Sequence, residues 1–131
     1  MKNKRTRLFL LFLFVMLTAC TQSNIGALTQ TNNDITGTLN FDPDPVEVMT
    51  PVTLSLQLAD SSGKAIDGAQ VSYDLTMPAM PMAPNQPQAS LQGNGVYIAE
   101  TTFSMSGDWQ AAVTIEKDGQ TSTLTFDFKV K

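Results

Sequence analysis

From Ile35 to the end of the chain, apolar and polar positions alternate with a period of two. Val52, Leu54, Leu56 and Leu58 alternate with Thr53, Ser55, Gln57 and Ala59. Val71, Tyr73, Leu75 and Met77 form a second row, and Tyr97, Ala99, Thr101 and Phe103 a third. Two more follow, Trp109-Ala111-Val113-Ile115 and Leu124-Phe126-Phe128-Val130. Such alternation predicts strands with one face in a core and the other in water. Turn chemistry separates the rows: Asp60-Ser61-Ser62-Gly63, Asp67-Gly68, Gly93-Asn94-Gly95, Ser106-Gly107-Asp108 and Lys117-Asp118-Gly119, the last reading as a tight hairpin. Pro43, Pro45 and Pro51 fall between early strands, where a missing N–H is harmless. No stretch carries a helical period with caps. The pattern predicts an all-β, immunoglobulin-like antiparallel sandwich of about seven strands, with a small closed barrel as the alternative. Trp109, Tyr97, Phe103, Phe126 and Phe128 are the predicted core aromatics.

The first nineteen residues belong to a different class. Leu8 to Leu17 read LFLLFLFVML, with Lys2, Lys4, Arg5 and Arg7 just ahead. Ten apolar residues are too few to span a bilayer, which needs ~20, and suit the core of a secretory signal. Leu17-Thr18-Ala19-Cys20 follows directly and resembles the bacterial lipoprotein lipobox. In that family cleavage precedes the Cys, which then carries a diacylglycerol and usually an amide-linked acyl chain. Each buried CH₂ contributes about 0.8 kcal/mol, and more than one chain gives stable anchoring. Residues 1–19 are thus read as a lipoprotein signal and Cys20 as the lipidation site. The polar stretch after Cys20, up to Asn33, is read as a flexible tether, and residues 34–131 as the domain. Thr21 after the Cys offers no retention signal of the aspartate type, which leaves the choice of membrane open. The expected location is the cell envelope, lipid-anchored on the extracytoplasmic face of a membrane.

Removing the signal changes the charge. The remaining chain carries four Lys against twelve Asp and Glu, a net of −8. An anionic domain repels nucleic acid, which leaves no role for it as a partner. The sequence has no His and one Cys, so the commonest bases, nucleophiles and zinc ligands are missing and no intramolecular disulfide can form. The acidic pairs among Asp42, Asp44 and Glu47, or Glu116 and Asp118, fall in turns and strand edges where carboxylates are solvated. No enzymatic activity is expected.

One segment breaks the strand pattern: Met77-Pro78-Ala79-Met80-Pro81-Met82-Ala83-Pro84, continuing to Pro87. Its prolines forbid helix and hold the segment extended, so the thioethers project at intervals. Thioethers are soft ligands that select Cu(I) over Zn or Mg. Two other readings stand beside this one. Met fills irregular core gaps and contacts aromatic rings, and Met-rich surfaces also serve as adaptable docking sites for partner proteins.

The run Gly63-Lys64-Ala65-Ile66-Asp67-Gly68-Ala69-Gln70-Val71, then Met77 and its loop, then Gly95-Val96-Tyr97, then Phe103-Ser104-Met105-Ser106-Gly107-Asp108-Trp109 resembles a YtkA-like domain. FixH-type proteins share the Gly-x-Tyr and Gly-x-Trp pattern. The likeness covers roughly Val52 to Val130. It implies a small extracytoplasmic immunoglobulin-like sandwich connected with copper handling and cytochrome oxidase assembly, with a copper-handling or other envelope protein as partner. Carried over by position, it implies Met77, Met80, Met82 and Met105 as metal ligands, Met105 lying on the strand that enters the Gly-x-Trp turn. Relatives often mix His into the Met-rich loop and this chain has none, so the ion implied is Cu(I), or its mimic Ag(I), rather than Cu(II).

Overall fold

The computed structural model describes residues 24–131. The signal segment and Cys20 lie outside the described residues. Eight strands form: β1 (Leu28–Asn32), β2 (Ile35–Asp42), β3 (Pro51–Ala59), β4 (Gln70–Thr76), β5 (Ser90–Gly93), β6 (Val96–Thr102), β7 (Gly107–Lys117) and β8 (Gln120–Val130). They make one sheet in the order β1-β2-β3-β6-β5 and a second in the order β4-β7-β8, with every pairing antiparallel. Leaving β1 aside, the remaining seven follow the four-plus-three order of a constant-type immunoglobulin sandwich. The seven expected strands are therefore present, and the eighth is an N-terminal addition.

The alternating rows face inward as their period requires. Val52, Leu54, Leu56 and Leu58 from β3 meet Val71, Tyr73 and Leu75 from β4 and Trp109, Ala111, Val113 and Ile115 from β7, all buried. Phe103, at the end of the third row, packs edge-on against Trp109 at a centroid distance of 4.9 Å and against Phe128 at 5.5 Å. The β7–β8 hairpin closes through Asp118 and Gly119, both at positive φ (51° and 76°), between the paired Lys117 and Gln120. Two left-handed residues match the twist of the flanking strands, which is why Asp-Gly suits the position.

β1 corrects the expectation of a tether running to Asn33 and of a domain starting at residue 34. Leu28–Asn32 pairs with β2 residue for residue, and Asn33 and Asp34 turn the chain with φ of 49° and 62°. Asn and Asp tolerate the left-handed region, so Asn33-Asp34 works as a two-residue hairpin turn. Hydroxyl pairs at Thr29–Thr38 (3.0 Å) and Thr31–Thr36 (2.9 Å) line its outer face. The Asn32 side chain donates to the Thr123 carbonyl of β8 at 2.9 Å, so β1 covers one lateral seam between the sheets. Asn85–Ala89 covers the other. Leu75 N–H donates to Asn85 O (2.9 Å), Tyr73 N–H to Pro87 O (3.1 Å) and Ala89 N–H to Val71 O (3.0 Å) before the chain crosses to form β5. Pro87 sits on this outer edge and offers only its carbonyl, as an edge position allows.

Candidate functional site at the methionine-bearing end

Both sheets present their loops at two ends, and one end collects the connections β2–β3, β4–β5 and β6–β7. Hydrogen bonds, most of them between backbone groups, join these loops into one surface. Val48 N–H donates to Lys131 O at 2.9 Å, Lys131 N–H to Val46 O at 2.9 Å, and Met49 N–H to Phe103 O at 2.8 Å. Asn85 closes the circuit by accepting from the Thr101 hydroxyl at 3.0 Å. All five methionines of the described residues, Met49, Met77, Met80, Met82 and Met105, lie in these loops.

Met77 is the hinge of the arrangement. The β4–β7 register ends at Thr76 opposite Gln110, so the next step brings Met77 opposite the buried Trp109. Its row points inward, and Met77 packs half-buried against the core. The chain then turns: Met80 N–H donates to Met77 O at 3.1 Å, and the two residues form an isolated antiparallel bridge. Proline on both sides of Ala79-Met80 keeps this a turn and not a strand. Met80 is 49% exposed, whereas Met82 folds back half-buried against the core. Met77, Met80 and Met82 line one shallow groove of about 400 Å³ with Thr76, Pro78, Ala79 and Pro81.

Met105 approaches from the neighbouring loop. It lies on a bend between β6 and β7, not on the strand that the resemblance implied. The Trp109 indole N–H donates to the Met105 carbonyl at 3.0 Å, which pins the loop across the ring. Gly107 then enters β7 with φ of 129°, and a Cβ there would stand 2.9 Å from Met77 Cε. Gly107 thus does two things: it takes a backbone conformation closed to other residues, and it leaves room for the Met77 methyl. The Gly-x-Trp motif is the packing contact that sets the Met105 loop beside Met77. Met105 itself is not part of the groove wall.

The sequence reading missed Met49. It is 73% exposed, sits at a φ of 58° and hangs from the Phe103 carbonyl at the same end. Its distance in sequence from the Met-Pro segment hid it, and only the pairing of its loop with Phe103 brings it there.

Among the described residues, no three His, Cys, Asp or Glu side chains gather to hold a metal. The acidic group around Asp42 is used otherwise: the Asp44 carboxylate accepts Ile25 N–H at 2.7 Å and Gly26 N–H at 2.9 Å. The donor set at this end is therefore thioether, which on ligand type fits a soft monovalent ion and does not fit a hard cation. A second cleft of about 450 Å³ opens at the opposite end between Asp60, Lys64, Ile66, Lys117 and Ser122. There the Asp60 carboxyl is held below its ordinary value by the Ser62 hydroxyl and the Lys64 N–H, so it serves its own turn.

The profile of the YtkA-like family matches residues 29–114, most of the chain. The chain belongs to the YtkA-like family. The match begins inside β1, so the family unit starts earlier than the sequence resemblance placed it. Among solved structures, a DUF4426 family protein from Pseudomonas aeruginosa PAO1 superposes with a TM-score of 0.55 at 12% identity, over 79% of this chain and 94% of that one. The PmoD soluble domain from Methylocystis sp. ATCC 49242 (Rockwell) superposes with a TM-score of 0.53 at 15% identity, over 81% of this chain and 98% of that one. At such identities the likeness is one of fold. No curated protein matches the sequence.

Proposed function

We propose that this YtkA-like domain is a lipid-anchored, extracytoplasmic carrier of Cu(I), held by the thioethers of Met77, Met80 and Met82 with Met105 alongside. The observation that carries the reading is the common groove of Met77, Met80 and Met82, built on a proline-stiffened turn and flanked through Gly107 by the Met105 loop. Thioethers are neutral and exchange readily, so an ion bound by two or three of them passes to another soft ligand by stepwise substitution. That behaviour suits a carrier better than a catalyst, and we assign no enzymatic activity. The copper-handling role implied by the family resemblance agrees with this donor set. Cys20 would supply the anchor through its acylated thiol and amine.

Anaerobic titration against a chromophoric Cu(I) chelator tests the proposal. The wild-type protein is expected to compete for Cu(I), and the Met80→Leu/Met82→Leu double variant to bind at least about tenfold more weakly, a loss near 1.4 kcal/mol. Leucine conserves volume, so the fold is kept. Equal affinity of the two proteins refutes the carrier reading.

A second reading rests on the exposure of Met49 and Met80, two of the three large apolar side chains most open to solvent among the described residues. Exposed, flexible thioether chains form an adaptable apolar surface for an envelope protein. In that case the double variant changes crosslinking to a partner while neither protein takes up Cu(I).

A further inference from the structure

The N-terminal segment joins the sandwich at the methionine-bearing end. β1 begins at Leu28 opposite Leu39, near the end of β2 that leads into Asp42 and Asp44. Just before it, Ile25 and Gly26 are fastened by both oxygens of the Asp44 carboxylate. Asp44 lies in the β2–β3 loop, which also carries Met49 and is bonded to Phe103 and Lys131. The place where the described chain is fastened at its N-terminal side is therefore on the same surface as the five described methionines.

We propose that the methionine-bearing end is the membrane-proximal end of the protein, so that the thioether groove faces the bilayer surface. The proposal rests on the acylation of Cys20 in the reading above, and two lengths decide it. Four residues separate Cys20 from Ile25, and whatever their conformation the five Cα-to-Cα steps reach at most about 18 Å. The opposite end is farther from the fastening point than that. β7 has eleven residues from Gly107 to Lys117, and at about 3.4 Å per residue its ends are ~34 Å apart. A linker of 18 Å cannot let the Lys117–Gln120 hairpin touch the membrane while the Asp44 loop points away. A tether running freely to Asn33 would have permitted that inversion, and the pairing of β1 with β2 removes it. Met49 and Met80, exposed on this end, are apolar groups that a headgroup region accepts without cost. An ion held in the groove would be exchanged at the membrane plane.

The test uses the full-length, lipidated protein in phosphatidylcholine vesicles containing a headgroup spin-labelled lipid. An environment-sensitive thiol probe is placed at Ala79→Cys on the methionine-bearing end or at Thr121→Cys on the opposite hairpin, both exposed positions. Quenching at position 79 is expected to exceed that at 121 several-fold. A fifteen-residue Gly/Ser insertion after Ser23 is expected to erase the difference, and Asp44→Ala to reduce it. Equal quenching at both positions, or stronger quenching at 121, overturns the orientation. Flotation separates the underlying reading: if the protein leaves the vesicles as readily as its Cys20→Ser variant, the anchor is absent and the orientation falls with it. Loss of Cu(I) binding with the quenching pattern intact refutes the carrier reading alone and leaves the orientation standing.

Discussion

Tyr73 and Tyr97 carry the same hydroxyl into the same core and end in opposite situations. Tyr97 Oη donates to Ile66 O at 2.8 Å and accepts Ala69 N–H at 3.1 Å, tying the connection between β3 and β4 to β6. Tyr73 Oη is buried with no hydrogen-bond partner among the described residues. Losing the Tyr97 hydroxyl strands two backbone groups, whereas losing the Tyr73 hydroxyl strands none. Tyr97→Phe is therefore expected to cost about 1–3 kcal/mol in urea unfolding, and Tyr73→Phe to be neutral or slightly stabilising. Burial also pushes the Tyr73 phenol well above its ordinary value. Above about pH 10 the unfolded chain releases that proton while the folded chain keeps it, so stability falls as pH rises there. Tyr73→Phe should flatten that alkaline loss, and an unchanged alkaline slope in the variant contradicts the assignment. Nothing in the alternating pattern distinguishes the two tyrosines. Both are inward positions, and only their surroundings differ.

At the scale of elements, the short motifs of the family resolve into packing requirements. Gly95 opens β6 at a φ of 74°, donates to the Asp67 carboxylate at 2.7 Å and accepts from Leu58 N–H at 2.8 Å. A Cβ at that position would collide with the Leu58 carbonyl oxygen. Gly119 has nearly the same φ, 76°, with open space around it. Gly119→Ala should thus cost roughly 1 kcal/mol from conformation alone, and Gly95→Ala clearly more, since strand β3 must shift as well. Thermal unfolding of the two variants separates conformation from close approach, and equal losses would remove the packing explanation. The β7–β8 hairpin was legible because Asp-Gly stands between two apolar rows. β1 was not. Four of its five residues are exposed, so no apolar row marks it, and its pairing depends on Asn33-Asp34 adopting a left-handed turn. Met105 was misplaced for a related reason: the indole of Trp109 pulls its carbonyl into a bend, an interaction that no two-residue period records.

Across the whole molecule the chemistry is concentrated at one end. The chain contains no His, and the described methionines all occupy the three connected loops. A thioether has no proton to displace, unlike a thiol or an imidazole. Cu(I) affinity is accordingly expected to stay level between neutral pH and about pH 5. A marked fall over that interval in the chelator titration would point to protonating ligands and against the groove. The alternation of side chains, read alone, determined the sandwich, its inward rows and its main hairpin, because a period of two leaves one face apolar wherever a strand is half-buried. It also displayed the Met-Pro segment as chemically distinct. The tertiary structure decided which methionines share a surface, that Met49 is among them, and that the chain enters the domain on that same side. Those are relations between residues far apart in sequence, set by strand pairing and by backbone bonds between loops, and a local pattern holds no record of them.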